Sequence, residues 1–101
     1  METNRQLGPK VLVIDDDTTL ATALRLYFGK LGYQVSVACN GVEGLRQVYD
    51  DRPDAIILDI MMPKMDGWTL AKRIREVSEV PIVMLTARKQ EHEIVRGLKL
   101  G

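Results

Sequence analysis

Two stretches decide the fold: Val11-Leu12-Val13-Ile14-Asp15-Asp16-Asp17 and Ala55-Ile56-Ile57-Leu58-Asp59. Each is a short apolar run, rich in β-branched residues, that ends abruptly on aspartate. Ile82-Val83-Met84-Leu85-Thr86 repeats the pattern with a hydroxyl at the end, and Val35-Ser36-Val37-Ala38 is a weaker fourth run. Continuous apolar runs of this length suit strands buried on both faces, as in a parallel sheet.

Between the runs the apolar period changes to that of helices. Leu20, Leu24, Tyr27, Phe28 and Leu31 fall on one helical face, with Asp17 or Thr18 able to cap its start and Gly32 its end. Val42, Leu45, Val48 and Tyr49 mark a second helix, closed before Pro53. Leu70, Ala71, Ile74 and Val77 mark a third, ending before Pro81, and Ile94, Val95 and Leu98 a fourth, starting near Gln90. The alternation β-α-β-α-β-α-β-α predicts a doubly wound α/β sheet. Residues 1–9 read as a flexible N-terminal tail and residues 10–101 as one domain, since 101 residues suffice for one and not for two.

Bulk composition narrows the function. Lys+Arg and Asp+Glu are both 14, so there is no footprint for direct nucleic-acid binding and no polybasic membrane signal. No apolar run approaches the ~20 residues that span a bilayer. The N-terminus has no apolar core of a signal peptide. The single cysteine, Cys39, excludes an intramolecular disulfide and fits a reduced, cytoplasmic compartment.

Ligands of open α/β sheets bind beyond the carboxyl ends of the strands. Asp15, Asp16 and Asp17 stand at one such end, Asp59 at another and Thr86 at a third. Converging carboxylates repel, and a hard divalent cation relieves the repulsion. Few protein oxygens, with waters or a phosphoryl group completing an octahedron, favour Mg²⁺. The loop Ile60-Met61-Met62-Pro63-Lys64-Met65-Asp66-Gly67 can offer a backbone carbonyl near Asp59. Its methionine sulfurs are too soft for an oxygen site, Asp66 suits a helix cap, and Gly67 supplies conformational freedom.

Together, Val13-Ile14-Asp15-Asp16-Asp17, Leu58 to Gly67, and Pro81-Ile82-Val83-Met84-Leu85-Thr86-Ala87-Arg88 resemble the receiver domain of bacterial two-component response regulators. Leu85-Thr86-Ala87-Arg88 and Arg96-Gly97-Leu98 are similar to the subfamily with a winged-helix DNA-binding output domain. The resemblance implies a flavodoxin-like fold with strand order 2-1-3-4, and a regulatory phosphoacceptor rather than an enzyme. It makes Asp59 the phosphoacceptor and Asp16 a Mg²⁺ ligand, with Asp15 beside it in the acidic pocket. It makes the Met61 carbonyl the third protein ligand and Thr86 the switch hydroxyl. It implies a sensor histidine kinase as phosphoryl donor and transcription as output.

The resemblance stops short of a fifth strand, its leading lysine and a fifth helix; Lys99 falls in the fourth helix instead. A shortened domain of this kind is expected to phosphorylate poorly and to self-associate through the fourth strand or fourth-helix region. Two other readings compete. Asp15-x-Asp17-x-Thr19 is similar to the nucleophile and acid pattern of haloacid-dehalogenase-type phosphohydrolases, and the missing lysine leaves room for a dimerisation module with a dead site. His92 reads as a solvated side chain, Cys39 as a small core or loop residue, and Trp68 as packing at the start of the third helix. Arg88, Lys89 and Arg96 read as a solvated basic face.

Overall fold

The computed structural model describes residues 8–60, 62 and 66–85. Four strands, β1 (Lys10–Ile14), β2 (Gln34–Ala38), β3 (Ala55–Asp59) and β4 (Ile82–Leu85), alternate with three helices, α1 (Thr18–Lys30), α2 (Gly41–Asp51) and α3 (Gly67–Arg75). All neighbouring strands are parallel, and their order is β2-β1-β3-β4. This is the expected doubly wound arrangement with strand order 2-1-3-4. The fourth helix lies outside the described residues.

Parallel pairing in register places alternate residues of the strands on opposite faces. Leu12, Ile14, Ile56, Leu58, Ile82 and Met84 pack with Leu70, Ala71 and Ile74 of α3 and Val48 of α2 to form the larger core. Val11 and Val13 face the other way and pack with Ala21, Leu24, Val35, Val37 and Ile57, under α1. Val11 and Val13 on one face and Leu12 and Ile14 on the other are all at most 6% exposed, which explains why β1 reads as an unbroken apolar run.

Asp17, rather than Thr18, caps α1: its Oδ1 accepts the N–H groups of Thr19 at 3.0 Å and Leu20 at 3.1 Å. At the other end Gly32 takes a positive φ of 98°. Its N–H donates to Gly29, and that of Tyr33 reaches back to Phe28, which closes the helix on its last carbonyls. Asn40 and Asp66 cap α2 and α3.

The helix faces differ from the sequence reading. On α1 Tyr27 is exposed, as is Leu31 just past its end, and Ala21 holds the buried position. On α2, Val42 and Tyr49 are exposed, while Gly41, Gly44 and Val48 face inward. Gly44 sits so close to the sheet that a Cβ there would stand 2.6 Å from Ile14 Cδ1. Helix α3 stops at Arg75, so Val77 follows it in a turn and is exposed. Cys39 is exposed, whereas Met62 is buried within the larger core. Just before β1, the carbonyls of Gly8 and Pro9 accept Gln34 Nε2 and the Gln34 N–H.

Candidate functional site

Strands β1 and β3 are adjacent, and each ends in a carboxylate. One side-chain oxygen from each of Asp15, Asp16 and Asp59 lies within 4.8 Å of the others. Asp15 is 2% exposed and Asp59 8%, while Asp16 faces solvent. The sequence therefore assembles two buried acids and one open one at the carboxyl end of the sheet, where the strand-end rule expects a ligand.

The local backbone fixes these groups. The N–H of Asp15 donates to the Ala38 carbonyl at 3.0 Å, extending the β1–β2 ladder by one residue. Its Oδ1 accepts the N–H of Asp17 at 2.9 Å. The N–H of Ile60 donates to Leu85 at 2.8 Å, which ties the residue after Asp59 to the end of β4. Gly67 then returns to the same point, its N–H donating to the Ile60 carbonyl at 2.9 Å. A Cβ at Gly67 would lie 2.6 Å from Ile60 Cα and 2.8 Å from the Asp59 carbonyl oxygen. Gly67 is thus required for close approach to the backbone behind Asp59. Only Gly32 among the described glycines has a positive φ, so the conformational freedom expected at Gly67 is not what its backbone uses. No pattern in the sequence distinguishes a close-approach glycine from a turn glycine.

The electrostatics are those of crowded acids. Burial pushes the Asp15 carboxyl up to about 6. The Asp17 N–H opposes this, and the charge and hydrogen bonding of Asp59, with the charge of Asp17, add to it. Asp66, fully exposed, is shifted the other way, first by the N–H of Thr69.

The donor set fits a hard divalent cation. It consists of carboxylate oxygens, two of them buried and mutually repelling, with an open side at Asp16. Met61 and Thr86, expected beside these acids, lie outside the described residues, as do His92, Arg88, Lys89 and Arg96. Asp17 turns its carboxylate to the N-terminus of α1, so the Asp15–Asp17 pairing of the hydrolase pattern is occupied by capping.

A parallel α/β sheet with clustered acids at its carboxyl end, on adjacent central strands, defines a doubly wound domain with a candidate cation site. The sequence matches the response regulator receiver domain over residues 11–101, and the chain belongs to that family. It is 41% identical over 93 residues to the transcriptional regulatory protein AfsQ1 of Streptomyces coelicolor, covering 92% of this chain and 41% of that one. It is 40% identical over 96 residues to the alkaline phosphatase synthesis transcriptional regulatory protein PhoP of Bacillus subtilis, covering 94% and 40%. The chain thus spans about two-fifths of the length of these relatives. The receiver domain of the Francisella response regulator 1452 superposes with a TM-score of 0.81 at 36% identity, covering 93% of this chain and 78% of that one. A response regulator structure from Chloroflexus aurantiacus gives 0.81 at 40%, covering 92% and 79%.

Proposed function

We propose that this chain is the phosphoacceptor module of a two-component response regulator, with Asp59 as the acceptor. The observation that carries the reading is the placement of Asp59. It is nearly buried at the end of a central strand, with oxygens of Asp15 and Asp16 within 4.8 Å. A carboxylate oxygen of Asp59 attacks the phosphorus of a phosphohistidine on a sensor histidine kinase. The P–N bond breaks, the imidazole leaves with the electron pair, and a mixed acyl phosphate forms on Asp59. The chain is a stoichiometric acceptor, not an enzyme with turnover on a separate substrate.

Asp16, Asp59 and the Met61 carbonyl would hold Mg²⁺, with Asp15 completing the acidic pocket. Bound there, the ion supplies positive charge against the oxygens of the transferring group. The chain's own part is positional. The Asp17 N–H orients Asp15, and the Ile60–Leu85 and Gly67–Ile60 hydrogen bonds hold the backbone that follows Asp59. Thr86, the residue that follows β4 in sequence, is the switch hydroxyl that donates to a phosphoryl oxygen and carries the new charge into a conformational change. The relatives' names, transcriptional regulatory proteins, support transcription as the output. A cytoplasmic location follows from a kinase donor and a reduced lone cysteine.

The test is incubation with Mg²⁺ and acetyl phosphate, followed by mass spectrometric mapping. The expected label is on Asp59 and is lost entirely in Asp59→Asn. Label on Asp15 would favour the hydrolase, and no label with divalent ion still bound would favour a dead-site module. Among the described residues β4 is the sheet edge beside β3, and self-association there is part of the proposal. Light scattering across a concentration series should then show a dimer or larger species, and a monodisperse monomer rejects that part.

A further inference from the structure

Helix α2 carries two apolar stripes. The inner one, Gly41, Gly44 and Val48, is buried against the sheet. The outer one, Val42, Leu45 and Tyr49, starts one residue later with the same three-and-four spacing. Val42 is 66% exposed and Tyr49 59%. Helix α3 lies alongside, and Val77, just past its end, is 44% exposed.

Two troughs meet at Tyr49 along this face. One, of about 460 Å³, is lined by Val42, Leu45 and Tyr49 with Arg46, Asp50 and Arg73. The other, of about 290 Å³, continues from Tyr49 to Val77 and includes Arg52. Three guanidiniums against one carboxylate make the rim basic, although the whole chain has no net charge. Guanidinium favours planar carboxylate partners. From Val42 to Tyr49 the stripe runs ~10 Å at the helical rise, about the length of two turns of a second helix.

We propose that the α2–α3 groove docks an acidic amphipathic helix of a partner protein. Its apolar residues at i, i+3 or i+4, and i+7 would lie on Val42, Leu45 and Tyr49, and its glutamates or aspartates beside Arg46, Arg52 and Arg73. Val42 and Tyr49 are exposed while Leu45 between them is half-buried against the core, and no residue lining the groove belongs to the acid cluster of Asp15, Asp16 and Asp59, so the two surfaces are distinct. Apolar side chains along the floor favour a helix over a bare phosphate backbone, which would use the arginines alone.

The test is nuclear magnetic resonance titration of the full 101-residue chain with two synthetic helical peptides. Both carry leucine at i, i+4 and i+7; one has glutamate at the flanking positions and the other lysine. The glutamate peptide should shift the amides of α2 and α3 around Tyr49 and bind about tenfold or more tightly than the lysine peptide. The Arg46→Glu/Arg73→Glu double variant, altered only on exposed helix positions, should reverse that preference while keeping the helical circular dichroism of the parent. Equal binding of the two peptides overturns the proposal, as do shifts centred on α1 or no shifts at all. Shifts of the same residues with protein concentration alone would assign the groove to a second copy and also overturn it.

Discussion

Aspartates stand at both ends of the sheet, and their surroundings separate them. At the amino end, exposed Asp54 accepts the Lys10 N–H on Oδ2 at 2.8 Å, and its own N–H returns a bond to the Lys10 carbonyl at 2.8 Å. Lys10 Nζ donates to the Asp51 carbonyl at 3.3 Å. That acid is a strut joining β1 to the turn before β3. At the carboxyl end, Asp15 and Asp59 are buried within 4.8 Å of each other and of Asp16. Burying like charges side by side opposes folding, so such an arrangement points to a task other than stability. Residue type is the same at both ends; burial and the donors within reach decide what each acid does.

The largest effect that would sharpen this contrast comes from Asp15→Asn. Calorimetry with Mg²⁺ should show affinity falling by about two decades, as for loss of a charged member of an oxygen site. Metal-free stability at pH 7 should rise, by about 1 kcal/mol, because a buried charge is removed. The pH dependence has a definite sign. Asp15 is raised from 3.8 to about 6 in the folded chain, so the folded state keeps its proton longer than the unfolded state does. Its contribution to metal-free stability is full below about 4 and is lost as pH rises through about 6. Metal affinity runs the opposite way, falling about tenfold per pH unit below about 6, because the ion competes with that proton. In Asp15→Asn both trends should flatten between pH 4 and 7; profiles that match the parent would remove the contrast.

A smaller effect is expected at Gly67. The Cβ of Gly67→Ala would press on the backbone of Asp59 and Ile60, at 2.8 and 2.6 Å, where no side-chain rotation relieves it. Urea unfolding should show a loss of about 2 kcal/mol, together with weaker Mg²⁺ binding. Gly29, inside α1 with nothing within 4 Å of its Cβ position, is the control. Gly29→Ala should stabilise by about 0.5–1 kcal/mol and leave metal binding unchanged. Equal responses would mean that Gly67 is an ordinary helix-start glycine.

These two glycines mark what the sequence could and could not convey. The sheet was legible because strands buried on both faces must be apolar throughout, and few other elements are so over four or five residues. The acid cluster was legible because parallel strands bring their carboxyl ends to one edge. Helix orientation was not. A 3.6-residue period finds apolar positions, but α2 offers two adjacent stripes, and the buried one is built mainly from Gly41 and Gly44, which carry no hydrophobic signal. Likewise the fully buried position of α1 is Ala21, packed with Val11 and Val13, while the larger Tyr27 and, just past the helix end, Leu31 are exposed. Close approach is a property of the assembled backbone, and the glycines that permit it look like any others in the chain.

The smallest effect belongs to the strut. Asp54→Asn keeps an oxygen acceptor for the Lys10 N–H and loses only the charge that strengthens this bond. Because Asp54 is exposed, water screens most of that loss, and unfolding free energy should fall by no more than about 0.5 kcal/mol. The donor is a neutral backbone N–H, so raising salt should change the difference little. Mg²⁺ affinity should equal that of the parent, since Asp54 lies at the opposite end of the sheet from Asp15 and Asp59. Any shift in Mg²⁺ affinity comparable with that of Asp15→Asn would mean that the two ends communicate through β1 and β3. The division into strut and site would then be one of degree, because both ends would be set by the same pair of strands.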